Sequence, residues 1–150
     1  MSHETILQGV DNAELREVFT ERLELVEHKL KFIESMPVAF VGMSNEANLA
    51  LLPYVEAAGG MLVDAANLGV YVIYGEEGAG LNKLMSQVPA LIDQEWQAVK
   101  NNRVALINLD FYNLEEVKDR VSFVEDLAEI LHPGFFIFGN EGNAWIRFGN

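Results

Sequence analysis

The sequence predicts an α/β domain of three layers, Rossmann-like, with a small, mainly parallel sheet, a long N-terminal helix and a C-terminal hairpin-like tail. Three features of the chain lead there. Residues 38–43, 70–74 and 104–109 are nearly unbroken apolar runs, as strands covered on both faces must be. Helical periodicity fills most of the intervals between and after them. Strand and helix alternate three times, which implies right-handed crossovers and helices on both faces of one sheet. A single domain is expected, with a loose lead-in over 1–10, a long helix over 11–35, an α/β lobe over 37–133 and an aromatic tail over 134–150.

Each element has a local reason. Residues 1–10 show no persistent period. Asp11 with Glu14 has the spacing of a capping box, and Leu15, Val18, Phe19, Leu23, Val26, Leu30 and Ile33 then recur at helical intervals. Pro37 ends that helix and opens the first strand. After the strand, Ser44-Asn45-Glu46 is a turn that caps a helix over 47–58, which stops at Gly59-Gly60. Pro53 is tolerated there if the helix starts late. Residues 61–68 read as a loop. The β-branched and aromatic second strand, 70–74, leads into the glycine-rich turn 75–80 and a helix over 81–85. Pro89 interrupts that helix, and a further helical run from Ala90 carries Leu91, Ile92 and Trp96 towards the third strand. A helix over 114–131 follows, and His132-Pro133-Gly134 ends it. The tail holds two aromatic runs, 135–138 and 144–148, around a glycine and asparagine turn, the pattern of a hairpin or packed flap.

Composition narrows the function classes. The 150 residues form one ordinary domain, 50% hydrophobic and 22% charged, with a formal net charge of -13. That charge repels nucleic acid and anionic membrane, and no apolar run is long enough to span a bilayer. With no cysteine, disulfides, thiolate metal sites and a cysteine nucleophile are excluded. As written, the amino terminus lacks a secretion signal, so a cytoplasmic location is expected; a periplasmic or extracytoplasmic one follows if a leader was trimmed.

The third strand delivers Asp110, Phe111 and Tyr112 to the rim where open α/β sheets bind ligands. Three phrases add a resemblance: Leu52-Pro53-Tyr54-Val55-Glu56-Ala57-Ala58-Gly59-Gly60, Trp96-Gln97-Ala98-Val99-Lys100-Asn101-Asn102-Arg103-Val104, and Leu127-Ala128-Glu129-Ile130-Leu131-His132-Pro133. With the long helix and the first strand, the region from Glu14 to Pro133 resembles the carboxyl-terminal lobe and backbone helix of the periplasmic proteins that deliver siderophores, haem and cobalamin to ABC importers. In that family two lobes hold a metal chelate between the loops at their strand ends. The resemblance implies such loops here at Ser44, Asn45 and Glu46, at Glu76 and Glu77, and at Asp110, Phe111, Tyr112 and Asn113, where aromatic rings can lie against a flat chelate.

The sequence carries one lobe of that pattern, so the expectation is a stand-alone lobe. It would bind an iron or cobalt chelate or a partner chain at its rim, as a homo-oligomer or with a second lobe-like chain. An ABC permease is the other partner the resemblance implies. The segment 61–69 is shorter than the family's permease-docking region, and no docking glutamate is assigned in it.

Two chemistries compete. Residues 75–80 invite a phosphate-loop reading, yet the Walker spacing is incomplete, Glu76 and Glu77 would repel phosphate, and a tight glycine turn accounts for the run. Glu46, Glu76, Glu77 and Asp110 near three strand ends suggest a metal-assisted hydrolase. His3, His28 and His132 lie away from that rim, and no nucleophile, base and orienter form a set. The expectation is a binding protein, not an enzyme; a structural or regulatory domain whose tail covers the rim is the alternative.

Overall fold

The computed structural model describes residues 3–149; Met1, Ser2 and Asn150 of the expected lead-in and tail lie outside them. A five-stranded sheet in the order β2-β1-β3-β4-β5 forms the middle layer. Its strands are β1 (Met36–Val41), β2 (Gly60–Val63), β3 (Tyr71–Tyr74), β4 (Val104–Ile107) and β5 (Trp145–Phe148). The first four pair in parallel and β5 runs antiparallel to β4, with Leu106 opposite Ile146. The three predicted strands are β1, β3 and β4, all buried on both faces at their centres.

The helices divide between the two faces. On one lie α1 (Glu4–Leu7), α2 (Ala13–Lys29), α3 (Leu52–Ala57) and α6 (Val117–Leu131), packed on Val38, Phe40, Ile73 and Ile107. On the other, α4 (Leu81–Gln87) and α5 (Gln97–Lys100) cover Ala39, Val41, Val72 and Leu106. The alternation of Val38 and Phe40 with Ala39 and Val41 is the period-two placement of a strand.

Several local expectations change. The lead-in is not loose: Ile6 and Leu7 are buried in the core, and Arg120 donates to the carbonyls of Ile6 and Gln8. The cap of α2 is Asn12, whose side chain accepts from the Glu14 and Leu15 amides, rather than Asp11. Leu15 and Val18 lie half exposed, at 51% and 50%, so the inward face of α2 begins at Phe19. The helix expected over 47–58 splits into a 3-10 turn, Leu49–Leu51, and α3, which places Pro53 in the first turn where its missing N–H costs nothing. The run from Ala90 is not helical until α5; a 3-10 turn, Val88–Ala90, precedes it.

Two corrections alter the topology. Residues 60–63, expected as part of a stop and a loop, form β2 by pairing with β1. Gly59 adopts φ +87° to end α3, and a Cβ on Gly60 would meet Val55, Val38 and Leu131 at 2.8–3.2 Å, so glycine lets α3 and α6 close on the sheet there. The tail is not a hairpin: residues 145–148 pair with β4, while Phe136 and Phe138 pack into the core and the Phe138 amide donates to Glu129 of α6. Pairing with an existing sheet gives β5 a ladder that a two-stranded ribbon would have to maintain alone.

Candidate functional site

The strand order reverses between β1 and β3, so the place to look is the crevice beyond their carboxyl ends. The chain fills much of it with its own side chains. Beyond β1, the amide of Asn45 donates to Gly42 O (3.0 Å), and Asn45 takes φ 63°, a left-handed conformation asparagine tolerates. Its side chain then ties three loops together: its amide oxygen accepts from the Tyr74 hydroxyl (2.6 Å) and its amide nitrogen donates to Leu91 O (2.9 Å). Burial pushes the Tyr74 hydroxyl pKa up to about 12, so it stays a donor.

The carboxylates do related work. Glu76 Oε1 accepts from the Met43 amide at 3.0 Å, and a Cβ on Gly42 would stand 2.7 Å from that oxygen. Asp110 accepts from the Gly78 amide with both oxygens, at 2.9 and 3.2 Å. Asn108 Oδ1 fixes Asp110 in turn by accepting from its amide (3.1 Å). The glycine run is therefore a turn closed from inside. Its Gly78 N–H, the group a phosphate would need, already faces a carboxylate.

Of the predicted contact residues, Asn45, Glu76 and Asp110 thus hold loops, while Ser44, Glu46 and Glu77 are exposed. Glu46 bridges by backbone to Ala65. Glu76 and Asp110 engage separate amides, so the converging carboxylate set that a metal-assisted hydrolase requires is not formed by them. Among the described residues no group of three or more His, Asp or Glu side chains is arranged to hold a metal ion.

Two recesses open at this rim. One, about 580 Å³, lies between the loops after β1 and β2 and is lined by Asn45, Glu46, Asp64, Asn67, Trp96, Leu49 and three alanines. The other, about 510 Å³, lies between the start of α3 and the loops after β3 and β4. Leu51, Leu109 and Leu114 give it an apolar lining, Tyr54 and Tyr112 bring rings, and Asn48, Glu77, Asn113 and Glu115 supply polar groups. Phe123 on α6 supports both rings, at 5.3 Å from Tyr54 and 4.9 Å from Tyr112. Phe111, nearly half exposed, packs edge-on against Tyr112 at 5.2 Å. We take the second recess as the candidate site, because rings on a rigid support beside a few polar groups are the usual makeup of a ligand pocket. Among the described residues none from the tail lines it, which counts against a tail that covers the rim.

Tyr112 differs from its expected role. It is buried, and its hydroxyl donates to Asp126 Oδ2 at 2.5 Å, so only the ring serves the recess. Asp126 belongs to a set of acids on α6 that sequence reasoning missed. It is fully buried and also accepts from Asn140 Nδ2 at 3.0 and 3.1 Å. Desolvation raises its pKa to about 6 against the opposing effect of those donors. Glu125 takes a two-point ion pair from Arg22 (2.6 and 3.1 Å), and Glu129 accepts from the Phe138 amide (2.8 Å). His132 sets its Nε2 3.1 Å from Ala58 O, with its pKa lowered chiefly by burial. The one sequence signal for these acids is that no Lys or Arg follows Arg120 on α6 to balance them.

No protein-family model and no curated protein sequence matches the chain. Solved structures do. An ABC transporter substrate-binding protein from Listeria monocytogenes EGD-e superposes with a TM-score of 0.65 at 15% identity, over 80% of this chain and 56% of its own. The TroA-like periplasmic binding protein FepB from Veillonella parvula gives 0.58 at 18% identity, covering 83% and 47%. Helicobacter pylori CeuE with Ni(II) bound gives 0.60 at 13%, covering 85% and 47%. The fold is therefore that of a lobe of periplasmic binding proteins, and the chain spans about half the length of the structures it matches.

Proposed function

We propose that the chain is a binding lobe, not an enzyme, that takes a metal chelate of the siderophore, haem or corrinoid kind in the recess beside Tyr54 and Tyr112. The observation that carries this reading is the paired rings, held by Phe123, at the strand-end rim of a fold shared with importer substrate-binding proteins. Rings so supported lose little conformational freedom when a flat ligand covers them. The exposed Leu49, Leu52 and Phe111 around the same rim support a second chain closing over the ligand, a copy of this one or a lobe-like partner. An importer permease is the further partner of this reading.

Native mass spectrometry of the protein, alone and after incubation with haemin, cobalamin and a ferric hydroxamate, tests it. A retained chelate, or a mass shift matching one added chelate, is the expected result. A bare monomer that binds none of the three at micromolar concentration overturns the proposal.

A further inference from the structure

Resting on that reading, we infer that the recess selects chelates carrying positive charge and discriminates against polyanionic ones. The polar groups at its mouth are one-sided. Glu77 and Glu115 are exposed lining residues, and among the described residues neither is in an ion pair. The neighbouring recess repeats the sign with Glu46 and Asp64, and neither lining contains a lysine or arginine. Arg120 is not in either lining; it interacts electrostatically with Tyr54 and is fixed to the backbone by donating to the carbonyls of Leu114, Gln8, Ile6 and Glu115 at 2.6–3.4 Å, so it pairs with neither Glu77 nor Glu115.

A second observation concerns the amides. An anionic ligand at strand ends is ordinarily met by loop N–H groups or cations. Here the Gly78 and Met43 amides are already capped by Asp110 and Glu76. The loops have, in effect, filled their anion positions with their own carboxylates, and an incoming polyanion would face those charges across the rim. Ring faces carry negative potential, which adds in the same direction. The net charge of -13 steers cations towards the molecule and polyanions away.

The test uses three ferric chelates of comparable size and different charge: ferrioxamine B, whose free ammonium makes it cationic, its N-acetylated neutral form, and a polyanionic ferric tris-catecholate. Each is titrated into the full chain at low ionic strength, with quenching of intrinsic fluorescence as the readout. The cationic form should bind roughly two- to fivefold more tightly than the neutral one, the range expected for exposed charge pairs, and the catecholate most weakly. In the double variant Glu77→Gln with Glu115→Gln the cationic and neutral forms, both titrated into that variant, should bind with equal affinity. Both sites are exposed, and an unaltered thermal melt checks that the fold is kept.

Equal affinity for the cationic and neutral forms, a preference for the catecholate, or a preference that survives the double variant overturns the inference while leaving the binding function in place. Failure of all three chelates to bind overturns the inference; the binding function falls with it only if haemin and cobalamin also fail to bind.

Discussion

The rim and the inner face of α6 both use carboxylates to accept N–H groups from loops, in opposite surroundings. Asp110 caps the Gly78 amide in contact with water, whereas Asp126 and Glu129 hold Asn140 and the Phe138 amide where little water reaches. A solvated carboxylate loses little hydration in its bond, so it shapes a loop without carrying much of the stability. A buried one gives up its hydration and depends on its donors, so its loss or exposure to proton uptake reaches the whole fold. Tyr112 joins the two regions, with its ring at the recess and its hydroxyl on Asp126.

The largest effect comes from removing a partner on the buried side. Arg22→Met leaves Glu125 without its two-point pair and should cost roughly 2 to 3 kcal/mol, less than a fully buried pair because Arg22 is partly solvated. Urea unfolding would show a lower midpoint at unchanged slope. A midpoint equal to that of the parent would mean that the α6 acids carry no more than surface charges do.

A smaller effect separates the two sides by pH. The folded pKa of Asp126, about 6, lies above its ordinary value of 3.8. Its contribution is therefore fully present below the ordinary value and is lost as pH rises through 6. Measured against Asp126→Asn, the parent should gain stability as pH falls from 7 to 5, by at most about 1.4 kcal/mol per pH unit. His132, with a lowered pKa, works in the opposite sense, losing stability as pH falls through the ordinary histidine range; taking the difference between the two proteins cancels it. A gap that stays flat with pH would place Asp126 with the solvated carboxylates.

The smallest effect belongs to the rim. Asp110→Asn weakens an exposed bond to Gly78 and should change global stability by less than about 1 kcal/mol. Hydrogen exchange at the Gly78 amide should nevertheless quicken, because its acceptor loses its charge. A large global loss would erase the distinction between the two regions.

Much of the layer architecture was legible in the sequence. The three central strands announce themselves as apolar runs because each is covered on both faces, and α2 and α6 show their inward sides by period. That the loops after β3 and β4 approach one another at one rim followed from the rule for strand ends. The duties of Asn45, Glu76 and Asp110 were not legible, since each bonds to a backbone group on another loop or to a residue far along the chain.

What the amino-acid order determines unaided is whatever depends on near neighbours: the caps and stops of the helices, the glycine at φ +87° that ends α3, the ring pair Phe111 and Tyr112 after β4. Only the tertiary structure decides that residues 60–63 become a strand, that 145–148 join β4, and that Glu125, Asp126 and Glu129 turn inward. A four-residue edge strand has too little local preference to form without a partner ladder. An acid on a helix reads as solvated until the donors that make its burial tolerable arrive from α2, the post-β4 loop and the tail, distant in sequence and adjacent in the fold.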